Sequence, residues 1–158
     1  MLLLYPLHLA IKGGRLKTQQ IETLFNQYLV AFSAYDLEAV VACYHLPCTL
    51  HTPDKIVLVN SIDDCRQEFN NIFTQLKQAN TAKIMARRAS YMSINDDLLL
   101  VCVDWTFIDD QGQVFADFCA YYHLSILNST KQRLAIVNVV SHELSNSHLL
   151  ANVFTISG

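Results

Sequence analysis

Tyr28-Leu29-Val30-Ala31-Phe32-Ser33-Ala34-Tyr35-Asp36-Leu37-Glu38-Ala39-Val40-Val41 is the stretch on which the fold turns. Its start completes an apolar stripe at Ile21, Leu24, Phe25, Tyr28, Leu29 and Phe32, whose spacing of three and four residues is one face of an amphipathic helix. Ser33-Ala34-Tyr35 breaks the stripe. Asp36 then offers a carboxylate oxygen to cap a second, short helix through Leu37, Val40, Val41 and Tyr44. Pro47, which has no N–H to donate, is expected to close that helix. Working outward on the other side, Thr18 is expected to cap the first helix. Gly13-Gly14 is expected to divide it from an N-terminal arm, residues 1–16.

Downstream, Thr49-Leu50-His51-Thr52, a turn at Pro53-Asp54 and Lys55-Ile56-Val57-Leu58-Val59 read as a hairpin within Cys48 to Asn60. Ser61 or Asp63 opens a third helix, with Ile62, Cys65, Phe69, Ile72, Phe73 and Leu76 on its buried side. After Asn80 the period drops from 3.6 to 2. Four strands are expected, Ala82 to Ile94, Leu98 to Ile108, Gln113 to Leu127 and Gln132 to Glu143. They are separated by Asn95-Asp96-Asp97, Asp109-Asp110-Gln111-Gly112 and Asn128-Ser129-Thr130-Lys131, all rich in turn formers. The tail, residues 145–158, offers one further strand at Leu150 to Ile156. Helices early and a meander of strands late make an α+β protein, with helices gathered on one face of a sheet. A parallel sheet would need the two to alternate throughout.

Composition narrows the function classes. The chain has 158 residues, 52% hydrophobic and only 16% charged, with Lys+Arg 11 against Asp+Glu 14 for a net charge of −3. That is one domain's worth of chain with ample material for a core. Mild acidity does not suit a phosphate backbone, so no nucleic-acid partner is expected. No apolar run reaches the ~20 residues of a membrane span, and the start lacks a basic leader region, so a cytoplasmic protein with no membrane partner is expected. Cys43, Cys48, Cys65, Cys102 and Cys119 are odd in number and lack zinc-knuckle spacing; reduced, packed thiols fit best.

The stretch from Tyr28 to Val41, a first-helix tyrosine followed by an Asp-Leu-x-Ala start to a second helix, resembles the nuclear-transport-factor-2-like superfamily. That group includes ketosteroid isomerases and SnoaL-like proteins. The resemblance covers about Lys17 to Leu144. It implies a single cystatin-like α+β domain over 17–144, a cone-shaped and strongly curved mixed or antiparallel sheet with three helices on its concave face. In the isomerases a carboxylate base lies in an Asp-Pro pair at the hairpin, with a tyrosine and a protonated aspartate as oxyanion donors. Tyr28 falls at the tyrosine, Tyr122 approximately at the second donor, and Thr52-Pro53 at the Asp-Pro pair. A threonine hydroxyl is no base near neutral pH, so isomerase activity is not expected.

Strand alternation places Leu99, Val101, Val103, Trp105 and Phe107 on one face, with Phe118, Ala120, Tyr122, Leu124 and Ile126 beside them. Tyr28, Phe32, Thr52, Trp105, Phe118 and Tyr122 are therefore the expected lining of a pocket for a small apolar molecule, with Tyr28 and Tyr122 as weak catalytic candidates. The alternatives are a cofactor-free lyase, hydrolase or isomerase acting on a small apolar carbonyl, and a non-catalytic association module. No cofactor and no metal are expected, because no glycine loop carries a phosphate-binding pattern. His45, His51 and Asp54 are too exposed in expectation to make a metal site. The other face carries Asp104, Thr106, Asp117, Tyr121, His123, Asn138 and His142 among Leu100, Cys102, Cys119, Ile136 and Val140. This half-apolar mixture suits a homodimer interface, and the superfamily commonly pairs there. Asp104 and His123 on that face suggest a structural Asp–His bond, and Arg87-Arg88 should put one guanidinium on each side of its strand.

Overall fold

α1 (Leu7–Ser33), α2 (Leu37–Val41) and α3 (Ile62–Gln78) are interleaved with a hairpin of β1 (Tyr44–His51) and β2 (Ile56–Val59). β3 (Thr81–Ser93), β4 (Leu98–Asp109), β5 (Val114–Ile126), β6 (Leu134–His142) and β7 (Asn152–Phe154) complete the chain. This computed structural model describes residues 7–127 and 133–158. The fold is α+β: one seven-stranded sheet in the order β2-β1-β6-β5-β4-β3-β7, mixed because β1 runs parallel to β6. The sheet is bent and not closed. An extra residue bulges at Arg87 of β3 and another at Val137 of β6, opposite His123 and Leu124 of β5, and such bulges increase local bend and twist.

Local chemistry explains the boundaries around the decisive stretch. Tyr35 has φ 53°, and the amides of Tyr35 and Asp36 reach back to the carbonyls of Phe32 (3.1 Å) and Ala31 (2.8 Å). That is a Schellman termination with tyrosine in the left-handed position usually given to glycine. Its ring is held against Phe73 (centroids 5.5 Å apart) with the Lys77 ammonium 4.9 Å from the ring centre. Asp36 Oδ1 accepts from the Ala39 amide at 3.1 Å, and Ser61 Oγ accepts from the Asp64 amide at 3.1 Å, capping α2 and α3. Asp63 and Asp64 in the first turn of α3 and Lys77 in its last match the helix dipole. α2 packs on α1 and α3, while those two lie across the concave face. Ile21, Phe25, Phe69, Leu99, Val101, Val103, Leu124 and Ile136 are the fully buried centre.

Several expectations need correction. The first helix begins at Leu7, so Gly13-Gly14 does not break it, and residues 7–16 are helical. Thr18 Oγ1 donates to the Gly14 carbonyl at 3.0 Å inside the helix and caps nothing. Two glycines cost a helix about 1 kcal/mol each relative to alanine, an amount that neighbouring turns can absorb. Pro47 closes no helix: α2 ends at Val41, and Pro47 lies within β1 after a cis Leu46–Pro47 bond. It is accommodated where β1 loses register with β6 between Tyr44 and Thr49, so no ladder N–H is required of it. Ile136 turns to the core and not to the outer face, because the β5–β6 bulge shifts it opposite Leu124. Arg87 and Arg88 do not divide between faces either. The β3 bulge keeps both on the outer side, where Arg87 Nε donates to Thr106 Oγ1 (2.7 Å) and Arg88 Nε meets Asp104 Oδ2 (3.1 Å). The Asn128–Lys131 turn and the Met1–Pro6 part of the arm lie outside the described residues.

The tail does more than expected. From Glu143 it crosses the outer face, where the Tyr121 hydroxyl donates to the Asn146 carbonyl (2.6 Å) and Ser147 Oγ donates to Asp104 Oδ1. Leu150 N donates to Ser90 Oγ (2.9 Å), and β7 then pairs antiparallel with the β3 edge. Phe154 and Ile156 are buried beside α1, and the Ser157 amide donates to Asn26 Oδ1 at 2.9 Å.

Candidate functional site

Between the concave face, α1, α3 and the β1–β2 turn lies a cleft of about 660 Å³. Six side chains singled out from the sequence, Tyr28, Phe32, Thr52, Trp105, Phe118 and Tyr122, all line it. The helical stripe brings Tyr28 and Phe32 down from α1. β4 and β5 supply Trp105 and Phe118 as direct cross-strand neighbours, with Tyr122 four residues further along the same face. Thr52 sits at the rim in a different role. Its hydroxyl accepts from the Lys55 amide (3.2 Å) and its amide donates to the Lys55 carbonyl (2.9 Å), clamping the hairpin turn.

The buried end is a cluster of three phenols and an indole. Trp105 Nε1 donates to Tyr122 Oη at 2.9 Å, and the Tyr28 and Tyr44 hydroxyls lie 2.9 Å apart. The Tyr28 ring also stands edge-on to that of Tyr122, with centroids 6.1 Å apart at 81°. The pairs Trp105–Tyr122 and Tyr28–Tyr44 together carry four N–H and O–H protons and make two bonds, leaving one O–H in each pair with no acceptor among these four groups. Burial pushes all three phenols above their ordinary value of 10.0, with the neighbouring phenols adding to the effect at Tyr28 and Tyr44. They are neutral donors at physiological pH. Edge-on rings hold them in place: Phe25 stands 5.0 Å from Tyr122 at 80° and 6.2 Å from Tyr28 at 70°.

Sequence reasoning missed Tyr44 and the polar mouth. A helix running on toward Pro47 would place Tyr44 on the second helix, whereas in β1 it points inward beside Phe69 (centroids 5.0 Å). Its signal was present: an aromatic at alternation with the buried Cys48 along β1. The mouth is lined by His51, Asp54 and Lys55 from the hairpin, Glu68, Asn71 and Gln75 from α3 and Ser141 from β6. Lys55 Nζ lies 3.5 Å from Glu68 Oε1.

Other candidates separate. Asp104 and His123 do not meet, because the register sets Asp104 opposite Cys119 and His123 opposite Leu100. Four strand residues of offset amount to about 13 Å. His123 Nδ1 bonds Asn138 Oδ1 (3.0 Å), which fixes Asn138 to donate to Thr49 Oγ1 (2.7 Å). His45 is exposed and away from the cleft, while His51 and Asp54 reach only its rim; among the described residues no cluster of three His, Cys, Asp or Glu side chains could hold a metal ion. The five cysteines are free and buried. Desolvation raises Cys43 and Cys65 to about 11 and Cys48 to about 12, so these thiols are neither nucleophiles nor ligands at neutral pH. Among the described residues no helix is long and apolar enough to cross a membrane.

Solved structures share this architecture. An NTF2-like protein with a cystatin-like fold from Novosphingobium aromaticivorans superposes with a TM-score of 0.70 at 12% identity, covering 91% of this chain and 94% of that one. A ketosteroid isomerase-like protein from Erwinia carotovora atroseptica gives 0.61 at 18% identity over 79% and 94%. A domain of unknown function with a cystatin-like fold from Nostoc punctiforme PCC 73102 gives 0.65 at 14% identity over 79% and 75%. At such identities the likeness establishes the fold alone. No curated protein matches the chain. The family sequence model described as NTF2-like protein (DUF6841) matches residues 18–144, the span that holds the cleft and every side chain lining it, and the chain belongs to that family.

Proposed function

We propose that this domain binds a small, largely apolar molecule in the cleft, without a cofactor, and holds an acceptor oxygen of that molecule against the phenol–indole cluster. The observation that carries this reading is the two surplus O–H protons, one in each hydrogen-bonded pair, in an otherwise apolar, aromatic-walled space. A buried donor with no acceptor costs free energy until a carbonyl, ether or hydroxyl oxygen meets it. The reading is binding and not turnover: the buried end of the cleft supplies only protonated phenols and an indole, and Thr52 occupies the hairpin position where the isomerases carry their base. An open, hydroxyl-lined cleft also favours a binder over a purely structural association module. Thermal-shift screening of small aromatic ketones against the wild type, Tyr28→Phe and Tyr122→Phe tests it. Stabilisation should fall several-fold in either variant, about 1 kcal/mol of binding per lost hydrogen bond. An undiminished response in both would remove the phenols from the site.

A homodimer across the outer face belongs to the same proposal. The tail covers the Cys102–Thr106 end of that face, which leaves Leu58, Thr49, Asn138, His123 and Leu100 toward the β2 edge. Leu58 is 59% exposed, an apolar side chain with no cover in a single chain. Sedimentation at micromolar concentration should give twice the 17.9 kDa chain mass, and a monomer would refute pairing. Five buried free thiols suit a reducing, cytoplasmic setting.

A further inference from the structure

The cleft is chemically lopsided. Its buried end holds only neutral donors, while its mouth holds the charges: Asp54, Glu68 and Lys55, two carboxylates to one ammonium. Glu68 is the most sheltered of the three that form the mouth's ion pair and turn, its side chain only 18% exposed against 60% for Lys55. Among the described residues, the single contact to its carboxylate is Lys55 Nζ at 3.5 Å, the outer limit of a hydrogen bond, so much of its acceptor capacity is unused. A carboxylate held off water and loosely paired gains when a second cation or N–H donor arrives. A ligand carboxylate at the same place meets two like charges and must pull Lys55 away from its partner.

Resting on the binding proposal above, we propose that the cleft selects bifunctional ligands: an apolar body with an acceptor oxygen at the phenol end and a protonated amine at the mouth, received by Glu68. Glu68 is then the residue that sets specificity. The span is built into the fold, since Glu68 and Phe69 are consecutive on α3, and the Phe69 ring packs on Tyr44 of the phenol cluster. One helix therefore holds the distance between the two ends of the ligand.

The test uses three probes that share 2-acetylnaphthalene and differ at C6, which carries a 2-aminoethyl, a propyl or a 2-carboxyethyl group. Isothermal titration at pH 7 and low salt is expected to give about tenfold tighter binding of the amine than of the carboxylate, with the propyl compound between them. Glu68→Gln should collapse that ratio to about threefold or less, and Lys55→Ala, which removes the competing ammonium, should widen it. Binding of the propyl compound with no preference for the amine, or with the carboxylate tightest, overturns the specificity assignment while the cleft remains a binding site. Failure of all three to bind wild-type protein, with a normal thermal melt, overturns the reading of the cleft itself.

Discussion

Tyr122 receives its indole partner because β4 and β5 pair Trp105 with Phe118 and leave Tyr122 on the same face, four residues on. Tyr28 and Tyr44 meet from a helix and a strand that are sixteen residues apart. Their hydroxyl pair is buried, so Tyr44→Phe should lower the free energy of unfolding by about 1 kcal/mol in urea titrations. An unchanged midpoint would mean that the pair contributes nothing. At this scale the sequence was informative wherever a strict period decided orientation: alternation alone put Trp105, Phe118 and Tyr122 inward, and the helical stripe put Tyr28 and Phe32 toward them. It failed where a single inserted residue resets the period. The β3 bulge moved Arg87 to the outer face, and the β5–β6 bulge turned Ile136 to the core. Nothing in residue type marks those insertions, because a bulge is chosen by the curvature of the whole sheet.

The elements themselves follow from caps and terminators. Ser61 is a complete N-cap for α3, with two acidic residues behind it in the first turn. Ser61→Ala should therefore cost about 1 kcal/mol, seen as a lowered Tm, whereas Ser61→Asp should restore it. Equal stability of all three proteins would contradict the capping role. Helix ends were legible where a side chain closes them, as at Asp36 and Ser61. The start of α1 was not, since glycines at 13 and 14 weaken a helix without forbidding it. The second helix was drawn too long because Pro47 is as compatible with an irregular strand as with a helix end. β7 was placed within two residues of its observed start by its apolar run, Leu150 to Ile156. Its partner could not be read, because it pairs with a strand some sixty residues earlier.

Taken as a whole, the molecule buries groups that must stay protonated. Tyr28, Tyr44 and Tyr122 lie above their ordinary value of 10.0, and Cys43, Cys48 and Cys65 lie at about 11 to 12 against an ordinary 9.0. Each is raised in the folded state, so the unfolded chain loses these protons first as the solution becomes alkaline. The associated stability is intact below pH 9, declines from there as the unfolded thiols ionise, and declines more steeply above pH 10 as the unfolded phenols follow. Urea midpoints at pH 8, 9, 10 and 11 should fall in that order. In the native protein, absorbance at 295 nm should register fewer than the seven tyrosines until unfolding. A flat stability profile to pH 11 would contradict the burial of these groups. The heavy apolar content of the chain divides at this scale into a core and cleft under the helices and a half-apolar outer face that the tail partly covers.

On the proposed function, the cleft recognises an acceptor oxygen through a surplus phenol proton. Trp105 lies in the cleft wall and is the chain's one tryptophan, so its fluorescence reports occupancy directly. Titrations with 2-acetylnaphthalene and with 2-isopropenylnaphthalene, which replaces the carbonyl oxygen by a methylene of similar shape, isolate that hydrogen bond. The ketone is expected to bind about tenfold tighter, and the difference should vanish in the Tyr28→Phe, Tyr44→Phe, Tyr122→Phe triple variant, which has no phenol proton left in the cluster. Equal affinity of the two compounds for the wild-type protein would contradict the claim.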